Sequence, residues 1–124
     1  MPVRFALYMA ASICLCLGPM ASAQDAVKVD PKHYTVVSEN DQVRILRVHY
    51  GPHEKSVMHS HPATVAVFLN DGKGQFTFAD GKKQEFAVTA GETQYEAAVT
   101  HLPENTGDTG FDVIVVELKG HAKK

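Results

Sequence analysis

The chain has 124 residues, 44% of them hydrophobic, and a formal net charge of −2 at pH 7. This length fits one domain around a single core and leaves no room for a second domain. Positive and negative charges are interspersed, so the sequence gives no reason to expect nucleic acid as a partner.

Residues 1–23 have the pattern of a cleaved secretory signal. Arg4 precedes an apolar run at 5–17, and the small residues Ala-Ser-Ala close the segment at 21–23. The apolar run is shorter than the roughly 20 residues that a membrane-spanning helix needs. We therefore expect a secreted, periplasmic protein whose mature chain starts at or next to Gln24 and is not held in a membrane.

Both cysteines, Cys14 and Cys16, lie inside this predicted leader. The mature chain would then contain neither a disulfide nor a thiolate ligand. A metal ion would have to be held by histidine, carboxylate or amide groups.

After a polar segment at 24–32, expected to be a flexible arm, apolar residues recur with a period of two in short runs. Glycine, aspartate and asparagine mark turns between these runs. The runs predict strands at 33–39, 42–50, 63–70, 74–80, 83–90, 93–99 and 111–119. Short strands at this spacing predict an all-β antiparallel sandwich or barrel over 33–119, followed by a tail at 120–124.

His59 and His61 are separated by one residue at the start of the strand-like run 63–70. Alternate residues of a strand point to one face, so the two rings can meet an ion about 2 Å from a nitrogen of each. His101, in the stretch "AVTHLPEN", is the natural third donor. The pattern predicts a metal site formed by His59, His61 and His101.

The alternation continues past His61, so the same face is predicted to carry an apolar row of Ala63, Val65, Val67 and Leu69. Such a row would face the core, so the two imidazoles would point into the barrel.

Two stretches resemble the motifs of the cupin superfamily, whose members are small double-stranded β-helix (RmlC-like, jelly-roll) barrels. The stretches are "GPHEKSVMHSHPATVAVFLNDG", with Gly51, His59, His61, Pro62 and Gly72, and "AGETQYEAAVTHLPEN", with Gly91, His101 and Asn105. The resemblance covers the mature chain. It implies a barrel in which three histidines hold a divalent metal ion such as Fe, Mn, Zn or Ni, with Asn105 bracing a loop.

The resemblance fails at the position of the family's glutamate ligand. With the shorter spacing after His61 this position is Val65, and with the longer spacing it is Ala66. Three neutral imidazoles leave the full charge on the ion, which favours a small anionic ligand or substrate. Three-histidine cupins that resemble this pattern include thiol and phenolic dioxygenases. Gln94 or Glu96 would replace the missing ligand if strand alternation turned them inward, whereas we expect Glu92 in an exposed turn.

The remaining histidines are predicted to lie at the surface or at strand ends: His33, His49, His53 and His121. No residue has the spacing of a general base, although Tyr95, Glu96 and His49 are candidates.

The leading interpretation is a secreted metal-binding cupin with a small-molecule cavity, with dioxygenase-like catalysis as its enzymatic form. The alternatives are a non-catalytic module that binds a ligand or metal, and a structural barrel with vestigial histidines. By analogy with other small barrels, the sequence also suggests a homodimer.

Overall fold

The computed structural model describes residues 24–120, so the predicted leader and His121 lie outside the described residues. Within 24–120 the chain forms one short helix, α1 (Ala26–Val29), and nine strands. The strands are β1 (Tyr34–Glu39), β2 (Val43–Tyr50), β3 (His59–His61), β4 (Thr64–Phe68), β5 (Gly72–Phe78), β6 (Lys83–Val88), β7 (Thr93–Glu96), β8 (Val99–Asn105) and β9 (Phe111–Leu118). Across 24–120 no helix has the length and hydropathy needed to cross a membrane.

The strands form two antiparallel sheets, with the orders β1-β2-β9-β4-β7 and β3-β8-β5-β6. The predicted all-β barrel is therefore confirmed. Alternate residues of the strands point inward, as in β2, where Leu46, Val48 and Tyr50 are buried while Arg47 and His49 are exposed. The sheets enclose a core of apolar side chains that includes Leu46, Val48, Tyr50, Ala66, Phe68, Val88, Phe111 and Val113.

The chain passes from one sheet to the other between β3 and β4, at Pro62 and Ala63. These two residues restart the alternation, so that Thr64, Ala66 and Phe68 are buried while Leu69 is 40% exposed. The predicted inward row of Ala63, Val65, Val67 and Leu69 is therefore wrong. Alternation holds within one strand, but it does not continue through a bend that moves the chain to another sheet.

The segment 24–32 was predicted to be a flexible arm, but its residues 24–30 are packed against the barrel. Asp25 caps α1 by accepting a hydrogen bond from the Val27 amide, and Ala26 is completely buried. The Ser60 amide donates to the Gln24 carbonyl over 2.8 Å, which places this segment beside β3. The helix cap at Asp25 and the burial of Ala26 explain why this mostly polar segment packs against the barrel.

Candidate metal centre

Strands β3 and β8 bring the three predicted histidines together. His59 and His101 are direct partners in the antiparallel ladder, and His61 follows two residues later on the same face of β3. One ring nitrogen of each histidine lies within 4.8 Å of the others, and all three residues are buried. The sequence placed His101 between two predicted strands, but it lies inside β8.

The three rings are nearly perpendicular to one another. Their centroids are 4.8 Å (His59 and His61), 5.0 Å (His59 and His101) and 5.3 Å (His61 and His101) apart, with interplanar angles of 84°, 87° and 81°. Packed this way, no two rings stack face to face. This arrangement is compatible with one ring nitrogen of each histidine binding the same ion.

Hydrogen bonds at Nδ1 determine which nitrogen remains free on two of the rings. His59 Nδ1 donates to the Val57 carbonyl over 2.8 Å, and His61 Nδ1 donates to Glu117 Oε2 over 2.7 Å. A proton held on Nδ1 leaves Nε2 with an unshared electron pair, the form that binds metal.

Among the described residues, three buried side-chain atoms have no hydrogen-bond partner: the Nε2 atoms of His59 and His101, and that of His33 outside the cluster. A buried polar atom without a partner is costly, and native structures contain few of them. Two such atoms directed at one small space, together with His61, suit a metal ion with nitrogen ligands.

Burial keeps these imidazoles neutral. Burial first, and then the neighbouring His61, lowers the pKa of His59 to about 4. Burial, followed by the charges that His59 and His61 would carry, lowers the pKa of His101 to about 3. Because only the neutral ring binds a metal ion, both side chains are ready to act as ligands at neutral pH.

A buried carboxylate supports the cluster from behind. Glu117 accepts from His61 and, at Oε1, from Arg44 Nε over 2.7 Å. Burial by itself would raise the pKa of Glu117, but the hydrogen bonds from His61 and Arg44 outweigh it and lower the pKa. No motif in the sequence indicates Glu117, although this residue shares the inward face of β9 with Phe111, Val113 and Val115.

A cavity opens beside His61 and His101. Its volume is about 60 Å³, and its wall is largely apolar. The lining residues include Tyr34, Tyr50, Thr64, Ala66, Phe68, Phe76, Phe86, Gln94, Glu96, Phe111 and Val113.

Gln94 and Glu96 both face this cavity, yet neither joins the histidine cluster. Gln94 instead donates a hydrogen bond to Glu92, a half-buried residue beside the turn. Burial raises the pKa of Glu96. Strand β7 therefore supplies no fourth ligand. On β4, the residue at the family's glutamate position that faces the cavity is Ala66, not Val65.

A second polar network borders the cavity. The hydroxyls of Tyr34 and Tyr50 are 2.6 Å apart, and the Tyr34 ring lies 4.9 Å from that of His59. His33, predicted to be a surface residue, is only 5% exposed, stacks on Tyr50 and contacts Asp30 through Nδ1 at 2.7 Å. The prediction was wrong because a neighbouring acid, three residues earlier, gives the buried ring a partner.

The other two described histidines lie outside the cluster, as predicted. His49 contacts Asp112 at 3.0 Å and His53 contacts Asp108 at 2.7 Å, both in exposed positions.

Asn105 braces a loop as expected. It is fully buried, donates to the carbonyls of Gly51 and Thr109 over 2.9 Å each, and accepts from the Gly107 amide.

A double-stranded β-barrel with a histidine cluster at one end of its inner cavity defines the cupin class. A family model described as "Cupin domain" matches residues 46–117, and the chain belongs to this family.

Solved structures agree with this fold. A cupin domain from Bordetella pertussis Tohama I is 24% identical, with a TM-score of 0.65 over 70% of this chain and 92% of that one. An RmlC-like cupin from Methanocaldococcus jannaschii is 16% identical, with a TM-score of 0.57 over 68% and 77%. A predicted oxalate decarboxylase from Thermotoga maritima is 22% identical, with a TM-score of 0.51 over 69% and 79%. A comparison with curated proteins gives no match.

Proposed function

We propose that this cupin binds one divalent metal ion through the Nε2 atoms of His59, His61 and His101, and takes a small organic ligand in the adjoining cavity. The observation that carries the proposal is that the buried Nε2 atoms of His59 and His101 lack a partner, while each of the three histidines has a ring nitrogen within 4.8 Å of the others. A purely structural cluster would leave that energetic cost without compensation.

The donor set narrows the choice of metal. Imidazole nitrogens suit Fe, Ni and Zn, whereas Mn, the fourth candidate, is better suited to oxygen ligands. No carboxylate of the described residues belongs to the cluster, so the bound ion would keep its full double charge. When bound, such an ion acts as a Lewis acid with open positions, and it attracts a ligand with an anionic or chelating group.

The cavity walls indicate what else the ligand would carry. Phe76 stacks on His101 with ring centroids 5.0 Å apart, and Phe86 stacks on Phe76 at 4.6 Å. These rings make a flat apolar wall that starts at the cluster. The proposed ligand therefore combines a polar head at the histidines with a small apolar body.

Glu96 is the reason to test catalysis as well as binding. It is the one carboxylate among the described residues that line the cavity, and burial raises its pKa. A carboxyl group with a perturbed pKa in a cavity is a candidate proton donor or acceptor. Oxygen uptake by the iron-loaded protein with a panel of small thiols and phenols separates a dioxygenase-like enzyme from a non-catalytic binding module.

We also propose export to the periplasm, on the strength of the charged, apolar and small-residue regions in 1–23. The intact mass of the exported protein tests this proposal. A chain that starts at or next to Gln24 supports export, and a mass that still includes residues 1–23 contradicts it.

Elemental analysis of the protein purified without a histidine tag tests the metal site. We expect about one equivalent of metal in the wild type and none in the His59→Ala/His61→Ala variant. The matched control is His49→Ala/His53→Ala, which removes two exposed histidines and should keep the wild-type metal content. A wild type without stoichiometric metal would favour a structural barrel with vestigial histidines.

A further inference from the structure

Strand β3, which carries two of the three histidines, lies at the edge of its sheet. One side of β3 pairs with β8, and the other side is occupied by the N-terminal segment 24–30. The contact is made by Ser60, the residue between His59 and His61. The Ser60 amide donates to the Gln24 carbonyl over 2.8 Å. The segment therefore touches the backbone of the site between its two ligands.

The first side-chain connection runs from Asp25 to His61. Both carboxylate oxygens of Asp25 accept from the Arg44 guanidinium, over 2.9 Å from Nη1 and 2.6 Å from Nη2. Arg44 Nε then donates to Glu117, which accepts from His61 Nδ1. The paired contact fixes the planar guanidinium, so that its third donor stays directed at Glu117.

The second connection runs from Asp30 to His59. The Ser56 hydroxyl donates to Asp30 Oδ2 over 2.5 Å, and its oxygen lies 3.3 Å from His59 Nδ1, the nitrogen that also donates to the Val57 carbonyl over 2.8 Å. Asp30 and Ser56 are each only 7% exposed. The one segment thus supplies an acidic residue behind each histidine of β3.

We infer that Asp25 and Asp30 are positioning residues of the metal centre: through Arg44–Glu117 and through Ser56 they orient His61 and His59. The inference rests on the proposed metal-binding function. Groups behind the ligands fix the tautomer and direction of metal-binding rings, and their loss typically lowers metal affinity about 10–100-fold. Nothing in the polar sequence of 24–30 indicates this role, because both connections join residues far apart in the chain.

The Asp25→Asn variant tests the first connection. Asparagine caps a helix as well as aspartate does, so α1 is retained while the paired carboxylate contact to Arg44 is lost. We expect the Kd for Zn²⁺ to rise about tenfold, while the melting temperature in chelator stays close to that of the wild type. The matched control is Asp108→Asn, the same substitution at the exposed contact between Asp108 and His53, which should leave the Kd unchanged.

A double-mutant cycle tests whether Asp25 acts through Glu117. In a Glu117→Gln background, Asp25→Asn should add almost nothing to the loss of Zn²⁺ affinity, because the two residues belong to one connection. Fully additive losses would overturn the proposed route. For the second connection, Ser56→Ala should weaken Zn²⁺ binding without disturbing Asp25, and an unchanged Kd would remove Asp30 from the inference.

Nitrogen NMR of the metal-free protein separates failure of this inference from failure of the proposed function. His61 should show the Nδ1–H tautomer in the wild type and a mixture of tautomers in Asp25→Asn. If the wild type binds no Zn²⁺ but this change is seen, the proposed function fails and the positioning role stands. If Asp25→Asn leaves both the Kd and the His61 nitrogen shifts unchanged, the inference is overturned.

Discussion

His49 and His53 each place a ring nitrogen against an aspartate at the protein surface, whereas His59, His61 and His101 turn toward one another inside the barrel. The side chains of His49 and His53 are 60% and 63% exposed, while the three clustered residues are at most 7% exposed. The first group can exchange its hydrogen-bond partners with water. The second group is held in one arrangement by burial and by contacts from behind.

This contrast shows that the function of a histidine in this protein depends on what surrounds it. An exposed ring with an aspartate beside it is satisfied and contributes little, as is usual for surface ion pairs. A buried ring with an unpartnered nitrogen carries a cost that a bound ion would remove. The two groups therefore serve as test and control in the same molecule.

The largest expected effect is the loss of one ligand from the cluster. His101→Ala should abolish stoichiometric binding of Zn²⁺, because two imidazoles are too few to hold a labile divalent ion. His53→Ala should bind Zn²⁺ like the wild type. Isothermal titration of both variants makes the comparison, and equal losses would mean that the cluster is not the metal site.

The next effect is on stability at low pH. An unfolded histidine titrates near 6.5, but the pKa of folded His59 is lowered to about 4 by burial. Above pH 6.5 this difference has no effect on stability. As the pH falls from 6.5 toward 4, the unfolded chain takes up a proton that the folded protein excludes, and the metal-free protein loses about 3 kcal/mol through His59 alone.

Urea unfolding in chelator at pH 7 and pH 4.5 measures this loss. His59→Gln removes the titrating ring, so its stability should fall less over this range than that of the wild type. His49→Gln, at an exposed position, should follow the wild type. Equal pH dependence in wild type and His59→Gln would contradict the assignment of the loss to the buried cluster.

A third test locates the missing carboxylate ligand. Ala66 lines the cavity, whereas Val65 points away from it. Ala66→Glu should raise Zn²⁺ affinity and, in chelator, destabilise the protein by about 2 kcal/mol because the new carboxyl group is buried without a partner. Val65→Glu should change affinity little, and melting curves with and without Zn²⁺ distinguish the two variants. Stronger Zn²⁺ binding by Val65→Glu than by Ala66→Glu would place the family's glutamate position at Val65 instead.

The smallest expected effect concerns Glu96. Since Glu96 faces the cavity but does not join the cluster, Glu96→Gln should weaken Zn²⁺ binding far less than His101→Ala does. A loss as large as that of His101→Ala would make Glu96 a ligand. The variant should act on ligand binding or turnover instead, which a separate ligand titration would detect.

The period-two alternation predicted most of the barrel correctly because it reflects burial within single strands. The predicted strands at 74–80 and 83–90 are present as β5 and β6, which pair with each other. The spacing of His59 and His61, together with the second motif, was sufficient to select the three clustered histidines. These features depend on local geometry, which a sequence displays directly.

What the sequence did not reveal depends on how distant segments meet. The bend at Pro62 and Ala63 changed which residues of β4 face inward, and so moved the expected ligand position from Val65 to Ala66. Arg44 and Asp25 give no sign in sequence that they share a contact behind Glu117. The burial of His33 likewise required Tyr50 and Asp30 to be in place.

The measurement that tests the central claim most directly is anomalous X-ray diffraction from crystals of the Zn²⁺-loaded protein, recorded at the zinc absorption edge. We predict one strong anomalous peak about 2.0–2.1 Å from the Nε2 atoms of His59, His61 and His101. A peak at His49 or His53, or coordination through Nδ1 of His61 with loss of its bond to Glu117, would contradict the account.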